Sequence, residues 1–351
     1  MIPHAFGRSR PGTVGIEEEL FVLDAETLVP ASAPESLFRP PRLKRELFAA
    51  VVELTTTAAE SVHEAGEELR ALRGGARRRA AEAGLALAAA ATWPPAAAEE
   101  QEVTADAGYL KFVEYAGSAA RRQFCSGLHV HVAVGSPEAC MRTLEGLLPW
   151  LPVLLAVSAN SPFLGGRATG LASNRAELLS LLPRSGAPPV FTSYGEWERF
   201  AERLVQLGLA DEVTRIWWDV RPHPRFGTLE VRMPDQPTRV EVTLAFAALV
   251  QALVLSVRPG RAGDRGLYAQ NRWAAARFGG AAELVHPDGE RLASVRELFA
   301  ELVERVRPVA DGLGTTRLLG PLTGLAQAEE QLAIARRDGL RRLCEHLVAA
   351  T

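Results

Sequence analysis

Lysine is almost missing from this chain: only Lys44 and Lys111 occur among 39 basic residues. GC-rich coding explains the excess of arginine, but the chemical consequence holds whatever the cause. With so few lysines and no GxxxxGK[ST] run, a Schiff-base or P-loop lysine is nearly excluded. Any phosphate has to be met by arginine, backbone N–H groups or metal ions. Cysteine is scarce as well. Cys125, Cys140 and Cys344 show no paired spacing, which suits a reducing compartment. Cys125 lies close to a histidine pair, where a nucleophilic thiol is conceivable, but a buried inert cysteine is the simpler reading. The start, MIPHAFGRSRPG, lacks the apolar core of a signal peptide. The longest apolar run, Leu147 to Val157, is short and carries Pro149 and Pro152, so no membrane span is expected. A net charge of −3 lacks the basic excess of a nucleic-acid binder. These absences predict a cytoplasmic protein without nucleic-acid or membrane partners.

What is present is enough apolar residue, 47% of 351 positions, for a sizeable core. No internal repeat or long linker divides the chain, so a single domain over 1–351 is the simpler expectation. Residues 13–23 read as a strand, followed by a proline- and serine-rich loop to Pro41. Phe48 to Thr57 is a second apolar, β-branched run. Ala58 to Gly84 has helical spacing, with an interruption expected at Gly74-Gly75. Leu85 to Ala91 reads as a short strand, and Gly127 to Val134 as the clearest one. Pro137 opens an apolar helix to about Asn160, and another helix covers Gly195 to Leu209. Strands are expected at Arg215–Arg221 and Gly227–Met233. The remainder is mostly helical, with breaks near Pro259–Gly266 and Pro287–Gly289. Short strand sets between long helices predict an α+β fold with a mainly antiparallel sheet.

Three of these strands carry polar pairs two residues apart: Glu17 and Glu19, His129 and His131, Glu230 and Arg232. Positions i and i+2 on a strand share one face of the sheet. Charges gathered on one face are costly to hold unless they meet metals, opposite charges or a charged ligand. In the first strand Val14, Ile16 and Leu20 favour the opposite, core face, which leaves Glu18 awkwardly on the core side. Two imidazoles at this spacing can share one metal or bracket two. The glutamates suit a hard divalent ion, and the arginine suits a phosphate or carboxylate oxygen. Arg221 would lie at the same end of the sheet if its strand pairs with that of Glu230. Several carboxylates for Mg²⁺ and arginines for phosphate suit ATP-dependent activation of a carboxylate. Histidine is an unusual Mg²⁺ ligand, which makes Mn²⁺ an alternative.

Six segments in order carry a resemblance across nearly the whole chain: VGIEEELFVLD, RELFAAVVELTT, GLHVHVAVG, SANSPFLGGRATGLASNR, IWWDVRPHPRFGTLEVRMPDQPT and QNRWAAARFG. The chain resembles the carboxylate–amine ligases of the glutamate–cysteine ligase type 2 family. The resemblance implies a glutamine-synthetase-like fold, a curved sheet with helices on its convex face and ATP, metal ions and acyl substrate on its concave one. It implies small-molecule substrates, and it allows a homo-oligomer. The activity it implies is ligation through an acyl phosphate, plausibly on the γ-carboxylate of glutamate, with an amine such as cysteine as the attacking group. Carried over by motif, Glu17, Glu19, Glu46, Glu53, His129 and Glu230 correspond to metal-binding positions. Arg232 corresponds to a phosphate-side catalytic arginine that also binds the nucleotide, with Glu230 catalytic beside it. Arg175, His131 and Arg221 fall to the substrate, and Arg272 to the nucleotide. Four positions depart from the family's usual pattern: Trp93, Gly108, Leu164 and Asn174. Two other readings compete. A metal-dependent amidohydrolase would need further histidine ligands, and a catalytically impaired ATP- or amino-acid-binding homologue would account for the departures.

Overall fold

Alternating apolar residues build the strands, and register makes them one surface. The computed structural model describes residues 2–213, 215–257 and 263–351. Seven strands form the main sheet: Val14–Asp24 (β1), Leu43–Arg45 (β2), Val51–Thr55 (β3), Leu85–Ala88 (β4), Leu128–Ala133 (β5), Val220–His223 (β6) and Thr228–Val231 (β7). Their order is β6-β7-β5-β1-β3-β2, with β4 continuing along β1 past the end of β5. Every pairing in this sheet is antiparallel. β2 falls just beyond the expected loop and was not foreseen.

One face of the sheet is apolar. Val14, Ile16, Val130, Val132, Leu229 and Val231 pack into the largest core cluster, together with the helix Val240–Ser256. That helix is apolar all round and buried on nearly every side, as expected of a central core helix. Leu20, Val22, Val52 and Leu54 pack against Ala76 and Ala80 of the helix Val62–Glu82. Gly74 and Gly75 do not break this helix. Burial of Leu69, Arg73, Ala76 and Ala80 along one side outweighs the cost of about 1 kcal/mol per glycine. Ser61 caps its start by accepting from the Glu64 N–H.

The helix expected from Pro137 to Asn160 is split into Pro137–Leu147 and Leu151–Ser158 by a 3₁₀ turn at Leu148–Trp150, because Pro149 removes a backbone donor. Together, Pro137–Ser158 is the one stretch among the described residues long and apolar enough to cross a membrane, and 78% of its most apolar 18-residue window is buried inside the protein. The expected break at Pro259–Gly266 falls largely on 258–262, outside the described residues. The one at Pro287–Gly289 is the turn between the paired strands Glu283–Val285 and Leu292–Ser294. Helices are not confined to the apolar side. Ala107–Ala116 and Asn174–Leu179 stand over the charged face and supply Tyr109, Phe112, Arg175 and Leu179 to a cavity there.

The awkward Glu18 proves to be a tie between the sheet and the helix behind it. Its carboxylate accepts two 2.6 Å bonds from Arg73 and a third, at 3.0 Å, from Gln236. Arg73 Nη1 also donates to the carbonyls of Thr238 and Thr351. A buried pair is stable only when both partners stay and every donor is used. Glu18→Ala is therefore expected to lower unfolding free energy by about 3–5 kcal/mol in urea titrations. A loss below about 1 kcal/mol would contradict this account of the tie.

Candidate active site

Antiparallel register decides which side chains meet on the polar face. Glu230 on β7 stands opposite His131 on β5 and Arg221 on β6. Glu17 lies between His129 and Thr55. Glu19 faces Glu53, which in turn faces Lys44. Residues paired in register share a face, so these sets form successive rows across one side of the sheet.

Two ligand-like groups result. Glu17, His131 and Glu230 each offer one atom within 4.8 Å of the others, and so do Glu19, Glu46 and Glu53. His129 lies between the groups, its Nδ1 3.4 Å from Glu17 and its Nε2 3.9 Å from Glu19. His131, expected at the substrate, joins the first group, while His129, expected at a metal, belongs to neither. His131 Nδ1 lies 3.0 Å from Thr228 Oγ1, which fixes the ring. Among the described residues its buried Nε2 makes no hydrogen bond; it faces Glu17 at 3.6 Å and Glu230 at 3.9 Å, and although burial would lower the ring's pKa, these two charges raise it. An orphaned ring nitrogen between two carboxylates fits a divalent cation. Three clustered carboxylates fit a harder, oxygen-only one.

Charge at the two groups is balanced unequally. Burial would raise the Glu230 carboxyl, but Arg221 and Arg232 hold it well below the usual carboxylate range. Burial would likewise raise Glu17, and His131 and His129 overcome that. In the second group burial wins. It lifts Glu19 to about 7 and, with Glu53 and Glu19 alongside, pushes Glu46 well up. Lys44, 2.7 Å from Glu53, is the group's direct ion-pair partner. Burial, with the Arg232 charge adding to it, drives His129 down to about 3, so its ring is neutral near pH 7. Cys125 lines the same cavity, and burial lifts its thiol to about 12, which leaves no thiolate to act as nucleophile.

The arginines divide by what they hold. Arg232 contacts Glu230 through Nη1 and borders the cavity over the second group. Arg221 grips the Glu230 carboxylate with Nε at 2.6 Å and Nη2 at 3.1 Å, while Nη1 donates to the Ile216 carbonyl. These bonds position Glu230. Arg272 lies outside the charged rows: Nε donates to Asp219, Nη1 to Ser180 and Nη2 to the Ala176 carbonyl. With all three nitrogens engaged it clamps the Asn174–Leu179 helix, and the nucleotide role expected of it has no geometric support. Arg175 reaches the cavity wall, yet its Nη atoms donate to the carbonyls of Arg232, Met233 and Pro234. A Cβ at Gly127 would lie 2.0 Å from Arg175 Nη2, so any side chain there would push the guanidinium off these carbonyls. The Gly127 N–H in turn donates to Glu19 at 2.6 Å.

Some site residues were not foreseen. His223 precedes a proline, and its ring lies 5.2 Å from His131 and stacks on Phe226 at 4.3 Å. Its Nδ1 is also buried without a partner among the described residues, and burial holds the ring down at about 4. The signal was present: Arg221 and His223 are themselves an i, i+2 pair, as are Lys44 and Glu46. Of the four departures, Trp93 is core, packing against Phe21 and donating from Nε1 to the Leu28 carbonyl at 2.9 Å. Asn174 ties the Ser161 carbonyl to Thr169 Oγ1, and Leu164 belongs to a small hairpin. Only Gly108 adjoins the cavity, next to Arg215.

The model of "Glutamate-cysteine ligase family 2" matches residues 13–346 of this sequence. The chain belongs to that family. Its activity is accordingly that of an ATP-dependent carboxylate–amine ligase, the class inferred from the six segments. A Rubrobacter xylanophilus protein named "Putative glutamate--cysteine ligase 2-3" is 40% identical over 358 residues, spanning 99% of both chains. A similarly described Sorangium cellulosum protein is 37% identical, over 96% of this ligase and 95% of its own length. In fold, the ligase is similar to glutamate–cysteine ligase from Francisella tularensis, solved with AMP: TM-score 0.68, 14% identity, 97% of this chain and 88% of that one. A bifunctional glutathione synthetase from Pasteurella multocida superposes with TM-score 0.62 and 13% identity, over 96% of this chain and 49% of its own. These likenesses bear out the α+β fold.

Arg272→Met is expected to destabilise the ligase by about 3 kcal/mol or more, because Asp219 loses its buried partner. The KM for ATP of the folded protein should stay unchanged. A raised KM at unchanged stability would return Arg272 to the nucleotide.

Proposed function

We propose that this ligase activates the γ-carboxylate of glutamate with ATP and joins it to a small amine such as cysteine, using residues 1–351 as one catalytic domain. The observation that carries this reading is the pair of ligand groups on one sheet face, flanked by Arg232 and separated by a neutral His129. Glu17, His131 and Glu230 would hold one divalent ion, and Glu19, Glu46 and Glu53 a second, Mg²⁺ or Mn²⁺ by the chemistry of the donors. Such ions, when bound, neutralise phosphate charge on the nucleotide and on the transferring group.

The chain's own residues do the rest. Arg221 fixes the Glu230 carboxylate by fork geometry, so Glu230 cannot rotate away from its row. Arg232 presents guanidinium N–H donors where phosphoryl oxygens gain charge. The carboxylate oxygen of the acyl donor forms a bond to the γ-phosphorus as the bond to the β-phosphate oxygen breaks, and ADP leaves. The amine nitrogen then bonds to the acyl carbon, phosphate departs with the carbon–oxygen pair, and the nitrogen loses a proton. Aromatic side chains Phe48, Tyr109, Phe112 and Trp217 wall the cavity and limit water at the acyl phosphate.

The donor set speaks against the amidohydrolase. Each histidine-hungry zinc site would need several imidazoles, whereas the first group holds one and the second none. The test is an ADP-release screen with Mg²⁺, ATP, glutamate and a panel of amines. Amine-dependent ADP formation is expected, and silence across the panel with ATP binding intact would favour the impaired homologue. Glu17→Gln and Glu230→Gln should each lower the turnover of the folded fraction, measured by circular dichroism, by orders of magnitude; Glu230→Gln should also destabilise the fold, since Arg221 and Arg232 lose their carboxylate. Near-normal rates in both would remove the metal assignment.

A further inference from the structure

Three arginines line the cavity over Glu19 and Glu46: Arg175, Arg215 and Arg232. Two are committed, Arg175 to three backbone carbonyls and Arg232 to Glu230. Of these three, Arg215 is the one whose guanidinium makes no hydrogen bond and no ion pair among the described residues. It is nonetheless held in place. Its guanidinium carbon lies 5.6 Å from the Phe112 ring centroid, and Phe112 packs on Trp217 at 5.0 Å. Arg184 braces the backbone from behind, donating from Nε and Nη2 to the Arg215 carbonyl while lying over the outer face of Trp217. A cation–π contact orients a guanidinium without using any of its five N–H donors. The nearby carboxylates are engaged elsewhere: Asp211 pairs with Lys111 at 2.8 Å, and Asp106 accepts from the N–H groups of Gly108 and Tyr109. Gly108 leaves the approach open, since even a Cβ there would stand 3.5 Å from Arg215 Nη2.

We propose that Arg215 is the substrate-binding arginine of this cavity, taking the α-carboxylate of an amino-acid substrate in fork geometry. The inference rests on the ligase reading and deepens it. An oriented guanidinium with no hydrogen-bonded carboxylate, in a partly aromatic cavity, matches a planar carboxylate, and a bidentate pair adds direction as well as energy. The acidic groups on the sheet would repel that carboxylate, so it enters with its charge toward Arg215 and its far end toward the cations' side. Two substrates of the proposed reaction carry such a group, the acyl donor and the amine acceptor, and binding measurements separate them.

The experiment is calorimetric titration of the full chain with Mg²⁺ and a non-hydrolysable ATP analogue, using two pairs of probes. Glutamate and 4-aminobutyrate differ only by the donor's α-carboxylate; cysteine and cysteamine differ only by the acceptor's. In one pair, wild type is expected to prefer the carboxylate-bearing member by roughly 10- to 100-fold, and Arg215→Ala to abolish that preference. Dependence in the glutamate pair assigns Arg215 to the donor, and in the cysteine pair to the acceptor. Arg215→Lys should recover part of the preference without restoring the fork, and both variants should melt within a few degrees of wild type because no hydrogen bond or ion pair is lost, only a partly exposed cation–π contact. Binding by Arg215→Ala that matches wild type, or no preference in either pair, overturns the proposal. Hydroxylamine-dependent ADP release with glutamate separately tests the ligase reading. Arg215-dependent binding without release sinks that reading alone, and release with Arg215-independent binding sinks this inference alone.

Discussion

One constraint organises this molecule: side chains alternate across a strand, and antiparallel register makes the alternation common to all its neighbours. Once Val14, Ile16 and Leu20 are committed to the core, Glu17 and Glu19 have only the other face. Register then delivers His129, His131, Glu230, Glu53 and Arg221 to the same side. A one-residue slip in any strand would exchange these charges for core residues, so the site and the core specify one another.

The resulting surface is not electrically closed. Glu230 has two guanidinium partners, and Glu53 has Lys44. Among the described residues Glu17's ion-pair partners are imidazoles, and Glu19 and Glu46 are lifted by burial and by neighbouring carboxylates, Glu53 above all. A half-neutralised acidic surface with an orphaned His131 nitrogen is poorly suited to stability on its own account. It is well suited to receiving cations together with a polyanion. By contrast the buried charge on the core side, Glu18, is fully satisfied by Arg73, Gln236 and Thr243, and it ties the sheet to helices behind it.

Much of this was legible in the residues. The β1, β5 and β7 strands and the facing of their pairs follow from period-two alternation, which register in the folded sheet preserves. The helix boundaries were less legible where tertiary burial overrode local chemistry, as at Gly74-Gly75. Which histidine joins which group could not be read, because i, i+2 spacing gives a shared face but not the lateral offset between strands. Arg221 and Arg272 show a related limit: sequence puts a guanidinium near a site, whereas only geometry reveals that carboxylates and carbonyls have already used its donors. Arg215 was invisible for the opposite reason, since its importance lies in the partners it does not have.

The central claim is that the acidic sheet face holds divalent cations, and it is tested most directly by counting them. Equilibrium binding of Mn²⁺, followed by the loss of the free-ion electron paramagnetic resonance signal, should give two ions per chain with the nucleotide analogue present. Glu17→Gln and Glu53→Gln should each remove one. No bound Mn²⁺, or a count unchanged by both substitutions, would contradict the account.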